Sequence, residues 1–283
     1  MFGTKRKPVE VAAGGAAARQ PLPRDQHGHF PKLIDLEKHP RKWEFPEYLD
    51  NPKSVWLQAL KALYAEPIVF PASLSPEAGL MLHGLVRNLQ PRVIVEIGVF
   101  CSISTHWMAS ALQESGRKPA AEPGAEHLVG PGGGAEIHCF DDFGPIHKGP
   151  WRDAEMLEGR LDFVKSRLSA AGLIDYCRFH PGDSSTNVKH EADNLRALGG
   201  IDLAFIDGDH TVPGLMADFK AVEPLLNVGG HVLLHDTFPE QCGHDGPRHL
   251  LDHYQQEAEG LYQVIDLYLS PLNYGMGLMR RLA

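Results

Sequence analysis

The chain has 283 residues, 43% of them hydrophobic, and a formal net charge of −9. That length allows one large α/β domain with extras, or two small domains, and is enough to bury a full core. The negative balance argues against a nucleic-acid backbone as the main partner, and no apolar run approaches a membrane span.

The four cysteines (Cys101, Cys139, Cys177 and Cys242) lie far apart and form no C-x-x-C pair, which favours reduced thiols and a cytoplasmic location over a disulfide framework. Residues 1–30 are rich in Ala, Gly and Pro and read as a disordered tail, because so few large apolar groups cannot offset the entropy of ordering. Glu10 and Gly14-Gly15 interrupt any signal-peptide core. Residues 31–74 read as a helical extension. Trp43, Phe45 and Tyr48 are its expected packing anchors, and Val55 to Tyr64 is an amphipathic helix. The main domain is expected over residues 75–283. Its first helix opens on Ser75-Pro76-Glu77, an N-cap, a first-turn proline and an early acid, and runs to about Asn88. These helices are expected to cover a sheet edge or the main cleft.

Arg92 to Ile97 is a nearly continuous apolar run, as a strand covered on both faces should be. It enters the turn Gly98 to Ser104, after which Trp107, Met108, Ala111 and Leu112 mark a helix face. A strand, a glycine turn and a helix N-terminus together aim backbone N–H groups at a ligand. Lys118 to Ala135 looks like a flexible insertion. Ile137 to Phe140 resumes the strand pattern and ends in Asp141-Asp142, where a carboxylate can accept both hydroxyl protons of a ribose diol. Leu157, Leu161, Val164 and Leu168 predict a helix closed by Gly172. Cys177 to His180 is a short strand followed by Gly182-Asp183-Ser184, and Thr186 to Leu198 is a polar helix.

Ile201 to Ile206 predicts a buried strand that ends in Asp207-Gly208-Asp209-His210. A helix follows from Pro213, with Leu215, Phe219, Val222 and Leu226 at helical spacing, and Asn227-Val228-Gly229-Gly230 stops it. His231 to Leu234 is a second strand ending in His235-Asp236-Thr237, so two parallel strands point polar clusters at one sheet edge. Beyond it, Cys242, His244, His249 and His253 invite a zinc reading, but a solvated or substrate-facing helix is the preferred one. No companion Cys pair completes the zinc set. Tyr262 to Leu269 and Gly277 to Arg281 read as a terminal hairpin around SPLNYGMG.

IDGDH, a helix, PLL-x-x-GG and a strand ending in HDT resemble the second half of class I S-adenosylmethionine-dependent methyltransferases. More narrowly, they are similar to the O-methyltransferase branch with the macrocin O-methyltransferases and cephalosporin-hydroxylase-like proteins. Glu96, Gly98 and Ser104 match that family's first cofactor motif, Glu-x-Gly-x-x-x-Gly-x-Ser, while Ser102 stands at its second glycine. The resemblance implies an α/β fold, a doubly wound, mostly parallel seven-stranded sheet with an antiparallel C-terminal hairpin. It implies S-adenosylmethionine as cofactor, with Asp141 at the ribose and Asp142 as the alternative. Asp183 and Ser184 would face the adenine, unless they are turn and capping residues. Asp207 is expected beside both the cofactor and a metal. Asp207, His235 and Asp236 form the expected metal set, and Mg²⁺ suits the carboxylates. His235 stands where macrocin-type enzymes carry Glu, so a transition metal, or Thr237 as a third oxygen, is the alternative. His210 lies three residues after Asp207, at the offset of the family's base, and is the expected general base; a loop histidine bonded to backbone is the rival. The expected activity is O-methylation of a small-molecule hydroxyl, with no nucleic-acid or membrane partner and with homo-oligomerisation left open. A cofactor-binding scaffold without chemistry is disfavoured by the cluster at 235–237, and an NAD-linked dehydrogenase by the glycine pattern and the terminal hairpin.

Overall fold

The structure, a computed structural model, describes residues 42–120, 134–148, 154–256, 260–267 and 274–283. The tail over 1–30, the middle of the 118–135 insertion and the tip of the terminal hairpin lie outside the described residues.

Seven strands form one sheet in the order β3-β2-β1-β4-β5-β7-β6. β1 (Val93–Ile97), β2 (Glu136–Asp141), β3 (Cys177–Pro181), β4 (Ile201–Ile206) and β5 (Leu226–His235) are parallel. β7 (Met276–Arg281) runs antiparallel to β5, and β6 (Tyr262–Leu267) antiparallel to β7. The strand order reverses between β1 and β4, so the carboxyl ends of these strands flank the crevice where open α/β sheets bind ligands.

Strand alternation sends one set of apolar side chains to each face. Ile94, Ile137, Cys139, Leu203, Phe205 and Leu233 pack with α1 (Val55–Tyr64), α2 (Pro76–Leu89), α3 (Ile103–Glu114) and α4 (Arg160–Ala170). Val93, Val95, Ile97, Phe140, Ala204, Ile206, Val232 and Leu234 pack on the other face. There they meet α5 (Ser184–His190), α6 (Ala192–Ala197), α7 (Val212–Val222) and α9 (Gly246–Gln256). α3 is buried along its first ten residues because the sheet lies on one side of it and α1 and α2 on the other. Ser54, Ser75, Asp183 and Thr211 cap α1, α2, α5 and α7 by accepting a backbone N–H at the first turn. No helix among the described residues is long and apolar enough to cross a membrane.

Four expectations need correction. Tyr48 is 74% exposed and anchors nothing, whereas Trp43 is buried against Phe70. Leu157 is exposed, and α4 begins only at Arg160, behind Gly159 in the left-handed region. α7 stops at Val222, a 3-10 turn follows over Glu223–Leu225, and Leu226 opens β5 by pairing with Ile201. The run Asn227 to Gly230 therefore lies within β5 as an irregularity: two residues of β4 are matched by five of β5 before Leu203 pairs with His231. The expected polar helix divides at Glu191 into α5 and α6.

Candidate active site

A cavity of about 1150 Å³ opens at the carboxyl ends of the parallel strands. It exceeds the roughly 300–1,000 Å³ usual for a single drug-sized ligand, which leaves room for two reactants. Gly98, Asp141, Asp142, Asp183, Ser184, Asp207, His210 and Asp236 all line it, at or just beyond the ends of the five parallel strands.

The turn after β1 is bent tightly. Gly98, Phe100 and Ser102 all have positive φ, and a Cβ on Gly98 would strike the carbonyl oxygen of Asp207, so only glycine lets β1 and β4 approach here. Ser102 occupies the left-handed region at φ +69° without the freedom of glycine, and its side chain makes no cap. Glu96, Ser102 and Ser104 do not line the cavity; they build the turn from behind. Glu96 is fully buried and accepts hydrogen bonds from the hydroxyls of Ser104 and Thr105. Burial pushes its carboxyl up to about 7, against the lowering effect of those hydroxyls and of Cys139.

Asp141 is already committed within the protein. Its Oδ2 accepts Val99 N at 2.8 Å and Phe100 N at 3.0 Å, while Oδ1 accepts Phe143 N at 2.7 Å and pairs with Arg160. Burial raises its carboxyl despite the Arg160 guanidinium and these backbone donors. Asp142 shares Arg160 but keeps its side chain 74% exposed. Gly144 N donates to it at 2.7 Å, and this bond leads the lowering of its carboxyl below the usual range. Asp183 caps α5 through Thr186 N, and Ser184 donates its hydroxyl to Asp218 at 2.6 Å. Capping therefore describes Asp183, while Ser184 ties α5 to α7; both residues still face the cavity. Burial raises Asp218 to about 6.

At the ends of β4 and β5 the acids and histidines interlock. His210 Nε2 lies 3.0 Å from Asp207 Oδ1 and 3.4 Å from Asp236 Oδ2. His235 Nδ1 lies 3.2 Å from Asp207 Oδ1 and 3.2 Å from Asp236 Oδ1. Burial alone would raise Asp207, but the His235 charge and the hydrogen bonds from both histidines hold it well below the usual range. For His210, burial disfavours the charged ring, yet Asp236 and Asp207 outweigh it and raise its pKa. Asp236 sits at φ +58°, a turn that presents both its oxygens to these rings, and its Oδ1 is buried without a hydrogen bond. Asp207, His235 and Asp236 place one donor atom each within 4.8 Å of one another, as a metal site requires. His235 supplies its nitrogen from behind the wall and does not itself line the cavity.

The zinc alternative at 242–253 does not assemble as a set among the described residues. His244 stacks on His210 with ring centroids 4.8 Å apart and joins His210 and Asp236 instead. Cys242 turns its Sγ to the carbonyls of Asp236 and His244, His249 is exposed, and His253 packs against Tyr254. Among the described residues, none of these three joins a metal-holding cluster. Sequence reasoning missed Arg160, Gln241 and Tyr274, which line the cavity from segments with no strand-end signal, and Pro71 and Ala72, which close it from the α1–α2 connection.

A methyltransferase domain family model matches residues 95–237. Among solved structures, the O-methyltransferase TomG from Streptomyces achromogenes, in complex with SAM, is 19% identical with a TM-score of 0.52, over 84% of this chain and 93% of that one. The O-methyltransferase from Bacillus cereus, in complex with SAH, is 18% identical with a TM-score of 0.53, over 83% and 93%. A methyltransferase from Geobacter sulfurreducens is 16% identical with a TM-score of 0.52, over 84% and 93%. At these identities the likeness establishes the fold.

Proposed function

The chain belongs to the methyltransferase domain family, and from that premise we propose that it moves the methyl group of S-adenosylmethionine to a hydroxyl oxygen of a small molecule. The observation that carries the proposal is the convergence of Gly98, Asp142, Asp183, Asp207, His210 and Asp236 on one cavity at the switch point of the sheet. The O-methyltransferase neighbours with bound SAM or SAH support the choice of cofactor and of oxygen.

In this reading the glycine turn and Asp141-Asp142 hold the nucleoside, and Asp183-Ser184 meet its base. The cavity holds the sulfonium and the acceptor in line, which removes much of the entropic barrier. His210 takes the hydroxyl proton as the oxygen bonds to the methyl carbon and the carbon–sulfur bond breaks, leaving a neutral thioether. Asp207 and Asp236 stabilise the imidazolium that forms, consistent with the raised pKa. Asp207, His235 and Asp236 would hold a divalent metal, which when bound polarises the acceptor oxygen. The buried, unbonded Oδ1 of Asp236 fits such an ion, and the imidazole nitrogen makes a first-row transition metal a second candidate beside Mg²⁺.

Calorimetric titration with S-adenosylmethionine and its demethylated product, beside NAD, tests the cofactor. His210→Ala should then bind cofactor normally and lose about 10²–10⁴-fold in turnover. Near-normal turnover would show that the proton leaves by another route, and undiminished turnover after exhaustive chelation would remove the metal.

A further inference from the structure

We propose that His138 and His180 share one proton, and that this proton ties the β3 edge of the sheet to the α5–α6 junction beside the cavity. The pair lies outside the candidate active site, and the tie operates whether or not methyl transfer is the reaction.

The two rings sit on neighbouring strands, His138 in β2 and His180 in β3. His138 Nδ1 and His180 Nε2 are 3.0 Å apart, the ring planes differ by 9° and the centroids are 5.2 Å apart. That separation is little more than the two ring radii added to the contact, so the nitrogens face each other in line. A carboxylate stands at each outer end. His138 Nε2, buried and without a hydrogen bond among the described residues, lies 3.3 Å from Glu136 Oε1. His180 Nδ1 lies 3.6 Å from Glu191 Oε1. The order is thus carboxylate, imidazole, imidazole, carboxylate.

Counting protons decides the charge. A neutral imidazole has one N–H and one bare nitrogen. One proton must lie between the rings, so two neutral rings leave one outer nitrogen bare against a carboxylate. It faces Glu136 if His138 donates inward, and Glu191 if His180 does. A third proton removes that repulsion and turns an N–H toward both acids. A fourth would set two N–H groups against each other across the same contact. Burial, then the charge of His138, accordingly drives His180 down to about 4 against Glu191 and Glu136. The pair therefore refuses a second charge until the pH falls that far.

The surrounding charges agree. Arg178 of β3 lies 3.5 Å from Glu136 Oε2, Asp193 and Arg196 of α6 pair with each other, and Lys189 and His190 of α5 are exposed. Glu136, Glu191, Arg178 and one imidazolium sum to zero, the state that burial favours. Glu191, His138 and His180 also bring donor atoms within 4.8 Å of one another. The lone pairs of the facing nitrogens do not converge on one point, so the cation they suit is a proton rather than a metal ion.

Glu191 ends α5 and begins α6, and the other end of α5 carries Asp183 and Ser184 in the cavity wall. The tie is complete while the pair holds its proton and is lost as pH rises and the proton leaves. Histidine-ring NMR of the full chain in EDTA, with both rings assigned through the backbone, counts the protons. Between pH 8 and pH 5 the two rings together should take up one proton; uptake of two, or of none, overturns the proposal. Zinc in place of EDTA should leave both ring signals unmoved, and their displacement would assign a metal instead. Hydrogen exchange reads the tie. Corrected for intrinsic rates, amides of α5 and α6 should lose about two- to fivefold in protection between pH 6 and pH 8, the worth of a partly exposed ion pair. Glu191→Gln, which keeps the shape without the charge, should abolish that pH dependence, and the same loss in the variant as in the wild type overturns the tie. The ring count needs no variant, so it decides the shared proton even where Glu191→Gln does not fold.

Discussion

Asp141 shows how one carboxylate in the cavity wall can organise the fold around it. With Val99, Phe100, Phe143 and Arg160 all directed at it, its removal should loosen the turn after β1 as well as the pocket. Asp141→Ala is therefore expected to lower Tm and weaken S-adenosylhomocysteine binding by about 1.5–3 kcal/mol. Asp142→Ala, at an exposed side chain, should weaken binding with Tm unchanged; parallel unfolding and calorimetric measurements separate the two. Glu96 makes a different prediction. Its folded pKa, about 7, lies above the ordinary value of about 4.3, so the folded protein holds the proton more tightly than the unfolded chain. Its contribution to stability is full below the ordinary pKa and is lost as pH rises toward 7. The stability of the wild type relative to Glu96→Gln should fall by at most about 4 kcal/mol between those values and stay flat above them. Denaturant unfolding across pH 4 to 8 checks this, and a difference that does not vary with pH would remove Glu96 as the titrating group.

The entry to α3 carries the clearest local conflict between residue and backbone. Ser102 occupies a left-handed position that its Cβ resists, so Ser102→Gly should be neutral or stabilise by up to about 1 kcal/mol, read as an unchanged or raised Tm. A substantial fall would mean that the Ser102 hydroxyl, bonded to Cys101 O, outweighs the backbone strain. The strands were legible at this scale because doubly covered parallel strands are apolar throughout: β4 begins and ends where its residues predict, and β1 and β2 fall within a residue or two. Helix ends were less legible. Leu226 keeps the helical spacing of Leu215, Phe219 and Val222, yet pairing with Ile201 takes it into β5. Leu157 likewise keeps the spacing of α4, but Gly159 starts that helix later. Of the site, the polar strand ends could be read directly, since topology alone carries them to one edge. Arg160, Gln241 and Tyr274 could not be, because their approach depends on how α4 and the 238–246 segment pack on the sheet.

Across the whole molecule, the cavity touches the carboxyl ends of β1, β2, β3, β4 and β5, so a ligand filling it ties together both halves of the sheet. S-adenosylhomocysteine at about 100 times its Kd should add about 2.7 kcal/mol and shift Tm upward by several degrees, whereas NAD at the same concentration should not. Equal shifts would favour the dinucleotide alternative. The strand order also bears on how the chain assembles. β7 follows β6 in the chain but lies between it and β5, so β6 has no place in the sheet until β7 has arrived. Until then the edge of β5, which ends at His235 just before Asp236, is bare and open to wrong pairing. The sheet is completed on this side where β7 joins β5, beside the candidate site. Lesions in β7, far in sequence from IDGDH, should show up first as slow refolding and aggregation.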